Sequence, residues 1–329
     1  MTRKFLSVCL LLLTLATLAR AQSTTYFISA RNAEHLADEA TLRASVGFLT
    51  DSLCAGRASG TPGSIHAQSA IARQFAATGL KPCADGWFRG FRTLSGAPAH
   101  NVVGFLPGSG NRYVVVAAHY DHIGTLGGTL YPGADSNASG VAALLSLARM
   151  FRHLQELGKT YYHTLIVVAL DGKEQSLSGA HHLWNEIAGG RLRDPQTGHT
   201  LTPADIDRMV NIDQVGGTEA PIRSSRKDYL MMLCEPENGR KDALLIANQS
   251  PEVSLDLGFD YYGSKDFTRV FYRTISDQKP FLDHGIPSVM FTSGITLRNN
   301  KATDDADSLD YGILRRRVLA MFYYLVRVI

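Results

Sequence analysis

Apolar residues recur at three-to-four spacing over residues 36–53 and 64–80, which predicts two helices. Between them, Gly56-Arg57-Ala58-Ser59-Gly60-Thr61-Pro62-Gly63 is a turn-rich loop. From about residue 101 the period changes. Val102-Val103-Gly104-Phe105-Leu106 and Tyr113 to Ala118 read as strands joined through Pro107-Gly108-Ser109-Gly110. Residues 138–152 and 176–188 return to helical spacing, and Thr164 to Leu170 is an unbroken apolar run, as in a strand buried on both faces. Met209 to Ile212, Tyr229 to Leu233 and Ser288 to Phe291 are further short strands. A last helix is predicted over 308–328. Its Arg315, Arg316, Arg317 and Arg327 make it a docking helix and not a membrane anchor. Strands alternating with helices imply a largely parallel sheet covered on both sides. In such folds the chemistry gathers at the carboxyl ends of the strands.

Composition narrows the class. The 329 residues are 45% hydrophobic and 19% charged, which fits a globular protein and excludes a disordered chain or a multi-span membrane protein. Length allows about one to three domains, but no repeat or long linker divides the chain.

The N-terminus has its own logic. Arg3 and Lys4 precede an uncharged run from Phe5 to Leu18, and Ala19-Arg20-Ala21 supplies small residues where a signal peptidase reads. Residues 1–21 are therefore expected to be a signal peptide, and residues 22–329 one α/β domain with its core over about 45–329. The apolar run is too short for a comfortable span of about 20 residues. Val8 before Cys9 is too bulky for a lipoprotein cysteine. Cleavage removes three basic and no acidic residues, which takes the formal charge from +3 to zero. A neutral mature chain gives no electrostatic case for nucleic acid or an anionic membrane, and leaves no integral span. The expected location is periplasmic or extracellular. Cys54, Cys83 and Cys234 remain after cleavage. Export permits a disulfide, and Cys54 with Cys83, flanking one predicted helix, is the expected pair.

Candidate chemistry lies after the strands. His119-Tyr120-Asp121-His122 follows strand 113–118. Gly133-Ala134-Asp135-Ser136-Asn137-Ala138-Ser139-Gly140 leads into the next helix, Asp171-Gly172-Lys173-Glu174 follows strand 164–170, and Asn211-Ile212-Asp213 closes another strand. One imidazole and three carboxylates (His119, Asp135, Glu174, Asp213) thus reach one sheet edge, a donor set that suits zinc. Asp121 is placed to bind the far ring nitrogen of His119 and fix its tautomer. Each residue alone has a plainer reading: a polar loop histidine, a helix cap, a turn, a strand-end acid. The ordered set at successive strand ends is what carries the metal reading.

These stretches resemble metallopeptidase family twenty-eight, the co-catalytic zinc aminopeptidases and glutaminyl cyclases. Ala117 to Gly124, Gly133 to Gly140, Leu170 to Glu174, Asn211-Ile212-Asp213, and Ser276-Asp277 through Phe281 to Gly285-Ile286-Pro287 carry the likeness. Ala55-Gly56-Arg57, Gly60-Thr61-Pro62-Gly63 and Gly79-Leu80 add to it, so that it covers roughly residues 45–310. The resemblance implies a single three-layer α/β/α domain with a mostly parallel central mixed sheet, and release of N-terminal residues from peptides. It implies that His119 and Asp213 hold one zinc, that Asp135 bridges, that Glu174 holds the second zinc, and that Asp121 orients His119.

The chain departs from that pattern at three places. The family's general-base Glu is Lys173 here, its C-terminal zinc His falls at or near Lys301, and the His of its Ser-Asp-His segment is Gln278. In metal hydrolases the ion lowers the pKa of bound water to about 7, and a carboxylate accepts its proton, worth about 10²–10⁴ in rate. A charged lysine cannot accept it. Both lysine changes fall on the second zinc, so at most one zinc is expected, with one or both lysines neutralising the carboxylates left behind. His284 or His122 would be substitute ligands, although His284 reads better as the end of a short helix. Two functions follow: an exported zinc aminopeptidase of weakened activity, or a catalytically silent relative that binds peptide or a protein partner.

Overall fold

The computed structural model describes residues 30–219, 226–235, 238–261 and 263–329. The signal-peptide reading lies outside them. Helix α1 (Glu39–Thr50) opens where the Asp38 carboxylate accepts the Thr41 N–H at 2.9 Å, an N-cap that satisfies one of the helix's free donors. Helix α2 (Pro62–Thr78) opens on Thr61 with Pro62 in its first turn and closes on Gly79 in the left-handed region. Strands β1 (Lys81–Pro82), β2 (Phe88–Arg92), β3 (Pro98–Leu106) and β4 (Tyr113–His119) follow, then the hairpin β5 (Gly124–Leu126) and β6 (Thr129–Tyr131). Helix α3 (Gly140–Glu156), β7 (Thr164–Leu170), α4 (Ser178–Ala188), β8 (Ile206–Ile212) and β9 (Tyr229–Cys234) come next. The chain ends with α5 (Lys241–Ala247), β10 (Asp256–Gly258), α6 (Lys265–Arg273), α7 (Lys279–Asp283), β11 (Ser288–Thr292) and α8 (Tyr311–Val328).

The main sheet runs β1-β3-β7-β4-β8-β11-β9-β10, with β2 also on β3. Its centre, β7-β4-β8-β11, is parallel, whereas β3 on β7 and β9 on β11 are antiparallel. The parallel centre points the ends of β4, β7, β8 and β11 to one edge. Alternating residues build two cores. Val114, Val116 and Ala118 face α1, α2, α3 and α8, while Val115, Ala117 and Ile166 face α4 and α7. This is the expected α/β/α sandwich, and it explains why β4 and β7 are buried throughout.

One expectation changes. Cys54 and Cys83 are not bridged; both are free and buried. Cys54 belongs to the core on one side of the sheet and Cys83 to the core on the other, so flanking the same helix does not bring them together. One arginine of the docking helix α8 lies inside the protein. Arg317 is fully buried and donates to the carbonyls of Tyr229, Val215 and Gly217 at 2.8 Å each and of Lys227 at 3.3 Å. Among the described residues, no helix is long and apolar enough to cross a membrane.

One glycine is required near the site. Gly56 has φ +70°, and a Cβ there would stand 2.5 Å from the Tyr131 carbonyl and 2.6 Å from that of Gly124. The turn at 52–57 therefore sits directly against the β5–β6 hairpin. Beside it, the buried Arg57 guanidinium donates to the carbonyls of Tyr120 and Pro132 at 2.7 Å and of Gly133 at 2.9 Å, and also to that of Leu49. It pins the loops that leave β4 and approach Asp135.

Candidate active site

His119 is the last residue of β4 and is fully buried. Its Nε2 lies 3.3 Å from Asp213 Oδ1, the first residue beyond β8. Burial and Lys173 work against the imidazolium, but Asp213, with Asp121, outweighs them and lifts the His119 pKa to about 10. Asp213 is held below the usual carboxylate range: burial opposes this, and Lys173 and His119 overcome it. The parallel pairing of β4 and β8 is what brings the two residues together.

Asp121 meets the His119 ring with both its backbone oxygen and its carboxylate. The ring Nδ1 lies 3.1 Å from the Asp121 backbone oxygen and 3.6 Å from the carboxylate. The carboxylate also serves the loop after β7: Oδ1 accepts the Lys173 N–H and Oδ2 the Glu174 N–H, each at 3.0 Å. With the backbone so fixed, Lys173 Nζ meets Glu174 Oε1 at 3.0 Å. Burial disfavours the ammonium, but Asp213, Glu174 and Asp277 together raise its pKa above the ordinary amine range, so it stays charged.

Asp277 completes this cluster and was not singled out from the sequence, although it lies within the Ser276-Asp277 stretch. It is buried, and neither carboxylate oxygen has a hydrogen-bond partner. Burial is the main reason its pKa rises to about 7; His119 pulls it down, and Asp213 and Asp121 push it up. Its neighbour Gln278, standing where a His was expected, is absorbed by structure: it accepts from Asn211 at 2.9 Å and donates to the Tyr272 carbonyl at 2.6 Å.

Asp135 is turned elsewhere. Its Oδ1 accepts from the N–H groups of Gly216 at 2.8 Å and Gly217 at 2.9 Å and from the Ser139 hydroxyl at 3.2 Å, while Oδ2 has no partner. Burial and the nearby Asp304 raise its pKa to about 7. Asp304, also missed from the sequence, accepts the backbone N–H groups of Asp135 at 2.8 Å and Ser136 at 3.1 Å. Arg317, through the carbonyls of Val215 and Gly217, holds the loop that holds Asp135. Lys301 is exposed; its N–H bonds the Arg298 carbonyl at 2.9 Å.

The structure thus gathers His119, Asp121, Lys173, Glu174, Asp213 and Asp277, and sets Asp135 in a separate network with Asp304 and Gly216–Gly217. Among the described residues, no three His, Cys, Asp or Glu side chains are grouped so as to hold a metal ion. Glu174 is engaged by an ammonium, and one Asp135 oxygen is saturated by backbone donors. The donor types suit zinc, but the arrangement does not fit it.

A three-layer sandwich with a parallel centre and these acids and imidazole at its strand ends defines a protein of the zinc aminopeptidase and glutaminyl cyclase fold. The chain belongs to Peptidase family M28, whose profile matches residues 101–325. A probable zinc metalloprotease of Pyrenophora tritici-repentis is 27% identical over 238 residues, covering 62% of this chain and 50% of its own length. The chain thus spans half the length of that relative. The aminopeptidase LapA of Legionella pneumophila shares the fold with a TM-score of 0.69 at 12% identity, over 91% of this chain and 74% of LapA. The glutaminyl cyclase of Macrostomum lignano does so with a TM-score of 0.69 at 16% identity, over 91% and 92%. Family and neighbours point to zinc as the ion of this class.

Proposed function

We propose that this protein is an exported peptidase-family member that binds peptides by their N-terminal residue and does not hydrolyse them. The observation that carries the reading is the Lys173 ammonium, bonded to Glu174 beside Asp213 and Asp277. A proton acceptor is needed there for water attack, and a charged ammonium has no lone pair to offer. Affinity for a peptide's α-ammonium is supported by the charge of the cluster: the acids Asp121, Glu174, Asp213 and Asp277 outnumber the cations His119 and Lys173, with Arg57 also acting on Asp121. Export rests on the pattern of residues 1–21, and places the protein in a periplasm or outside the cell.

The test is paired. Purified protein is assayed on a panel of aminoacyl chromogenic substrates with and without added zinc, and titrated calorimetrically with peptides bearing free or acetylated N-termini. The expected result is no metal-dependent turnover, with binding that acetylation abolishes. Zinc-dependent release of N-terminal residues would restore the weakened-aminopeptidase reading, for which the 3.3 Å approach of His119 to Asp213 leaves a partial ion site. Equal binding of both peptide forms would remove the N-terminal recognition.

A further inference from the structure

We infer that Lys173 is the resident cation of this site, a side-chain ammonium standing in place of a metal ion, and that the folded protein neither needs nor takes up zinc. The inference concerns the same residues as the peptide-binding reading but does not depend on any peptide being bound.

Three features support it. The turn that carries the ammonium is fixed, because the Lys173 and Glu174 N–H groups both bond to the Asp121 carboxylate and the Leu177 N–H bonds to the Lys173 carbonyl at 3.1 Å, and Nζ itself is bonded to Glu174. The ammonium compensates charge: the Lys173 side chain is only 17% exposed, and its Nζ lies 3.0 Å from the Glu174 carboxylate. Buried carboxylates left without a cation would repel one another and lose hydration. Finally, it excludes a competitor. A divalent ion at Glu174 must displace a bonded ammonium and then sit beside it, and like charges at contact range repel strongly where water is scarce. The carboxylate expected to bridge two ions, Asp135, has been given to the Gly216 and Gly217 N–H groups.

The experiment measures metal content and melting of the full chain. Wild type is dialysed against zinc, washed and analysed by mass spectrometry, then melted with EDTA and with zinc. It should retain far less than one zinc per chain, and its melting temperature should move with neither addition. Lys173→Met should melt several degrees lower, and Lys173→Arg should recover most of that loss without gaining zinc. Lys173→Glu should melt low when metal-free and rise on zinc addition. Wild type that keeps about one zinc per chain and melts lower in EDTA would overturn the inference. So would a Lys173→Met protein as stable as wild type. If Lys173→Glu does not fold, the wild-type chelation and the Met and Arg variants still decide. Failure to bind peptides would sink the preceding proposal and leave this one standing.

Discussion

Lys173 Nζ lies 3.0 Å from Oε1 of Glu174, the next residue in the chain. Neighbouring side chains seldom meet so directly. Here they do because one carboxylate, Asp121, accepts both of their backbone N–H groups and sets the turn after β7. Asp121→Asn would keep one acceptor oxygen and present an amide N–H to the other donor. The expected outcome is a loss of about 2 kcal/mol, typical of a buried bond to a charged group. Urea denaturation measures it, and faster hydrogen exchange at the Lys173 and Glu174 amides locates it. An unchanged exchange rate at both amides would show that the turn holds without Asp121.

Arg317 acts at a distance on Asp135. It reaches four carbonyls, two (Val215 and Gly217) in the loop that donates to the Asp135 carboxylate and two (Lys227 and Tyr229) at or just before the start of β9. A lysine has a single donor atom and cannot span that set. Arg317→Lys should destabilise the protein by about 3 kcal/mol through carbonyls left without partners. It should also free the Gly216 and Gly217 amides to exchange sooner than the β4 amides. Uniform acceleration across the sheet would mean that Arg317 supports the whole fold and not this loop.

The separation of the two cores by the sheet makes a prediction for the thiols. Cys54, Cys83 and Cys234 should all titrate with an aromatic disulfide reagent in guanidinium without prior reduction. In the native state the reaction should be slow, since burial raises each thiol pKa, that of Cys83 to about 11. Recovery of one thiol in guanidinium would mean that a bridge forms after all.

Much of the fold was legible because apolar periodicity reports burial. β7 spans the predicted Thr164–Leu170, and β4, β8, β9 and β11 lie within three residues of their expected limits. What escaped was amphipathic or short. β2 reads Phe-Arg-Gly-Phe-Arg on an exposed edge, and α6 is mostly polar with Phe267 and Val270 exposed. The order of site residues at strand ends was also legible, and β pairing delivers His119 to Asp213. Two things depended on tertiary contacts that no local pattern encodes. Asp135 rotates toward Gly216–Gly217 because Arg317, far along the chain, positions that loop. The Asp121 carboxylate is shared between the His119 ring and the Lys173 and Glu174 amides, which lie far along the chain.

His122 should make the protein acid-sensitive. It is buried with neither ring nitrogen partnered, and burial first, then Arg57 and His119, pull its pKa down to about 3. In the unfolded chain a histidine takes its proton near pH ~6.5. Between these values the unfolded state binds a proton that the folded state refuses. Stability is therefore intact above about pH 6.5 and falls as pH drops toward 3, by up to about 1.4 kcal/mol per pH unit for this one group. His122→Leu removes the titration while breaking no hydrogen bond of the folded state. Urea midpoints for both proteins at pH 7 and pH 4.5 isolate the effect from that of the carboxylates. The variant should lose less stability than wild type over that interval, by about 2.5 kcal/mol. Equal losses would mean that His122 accepts a proton in the folded protein, and that a partner reaches its ring.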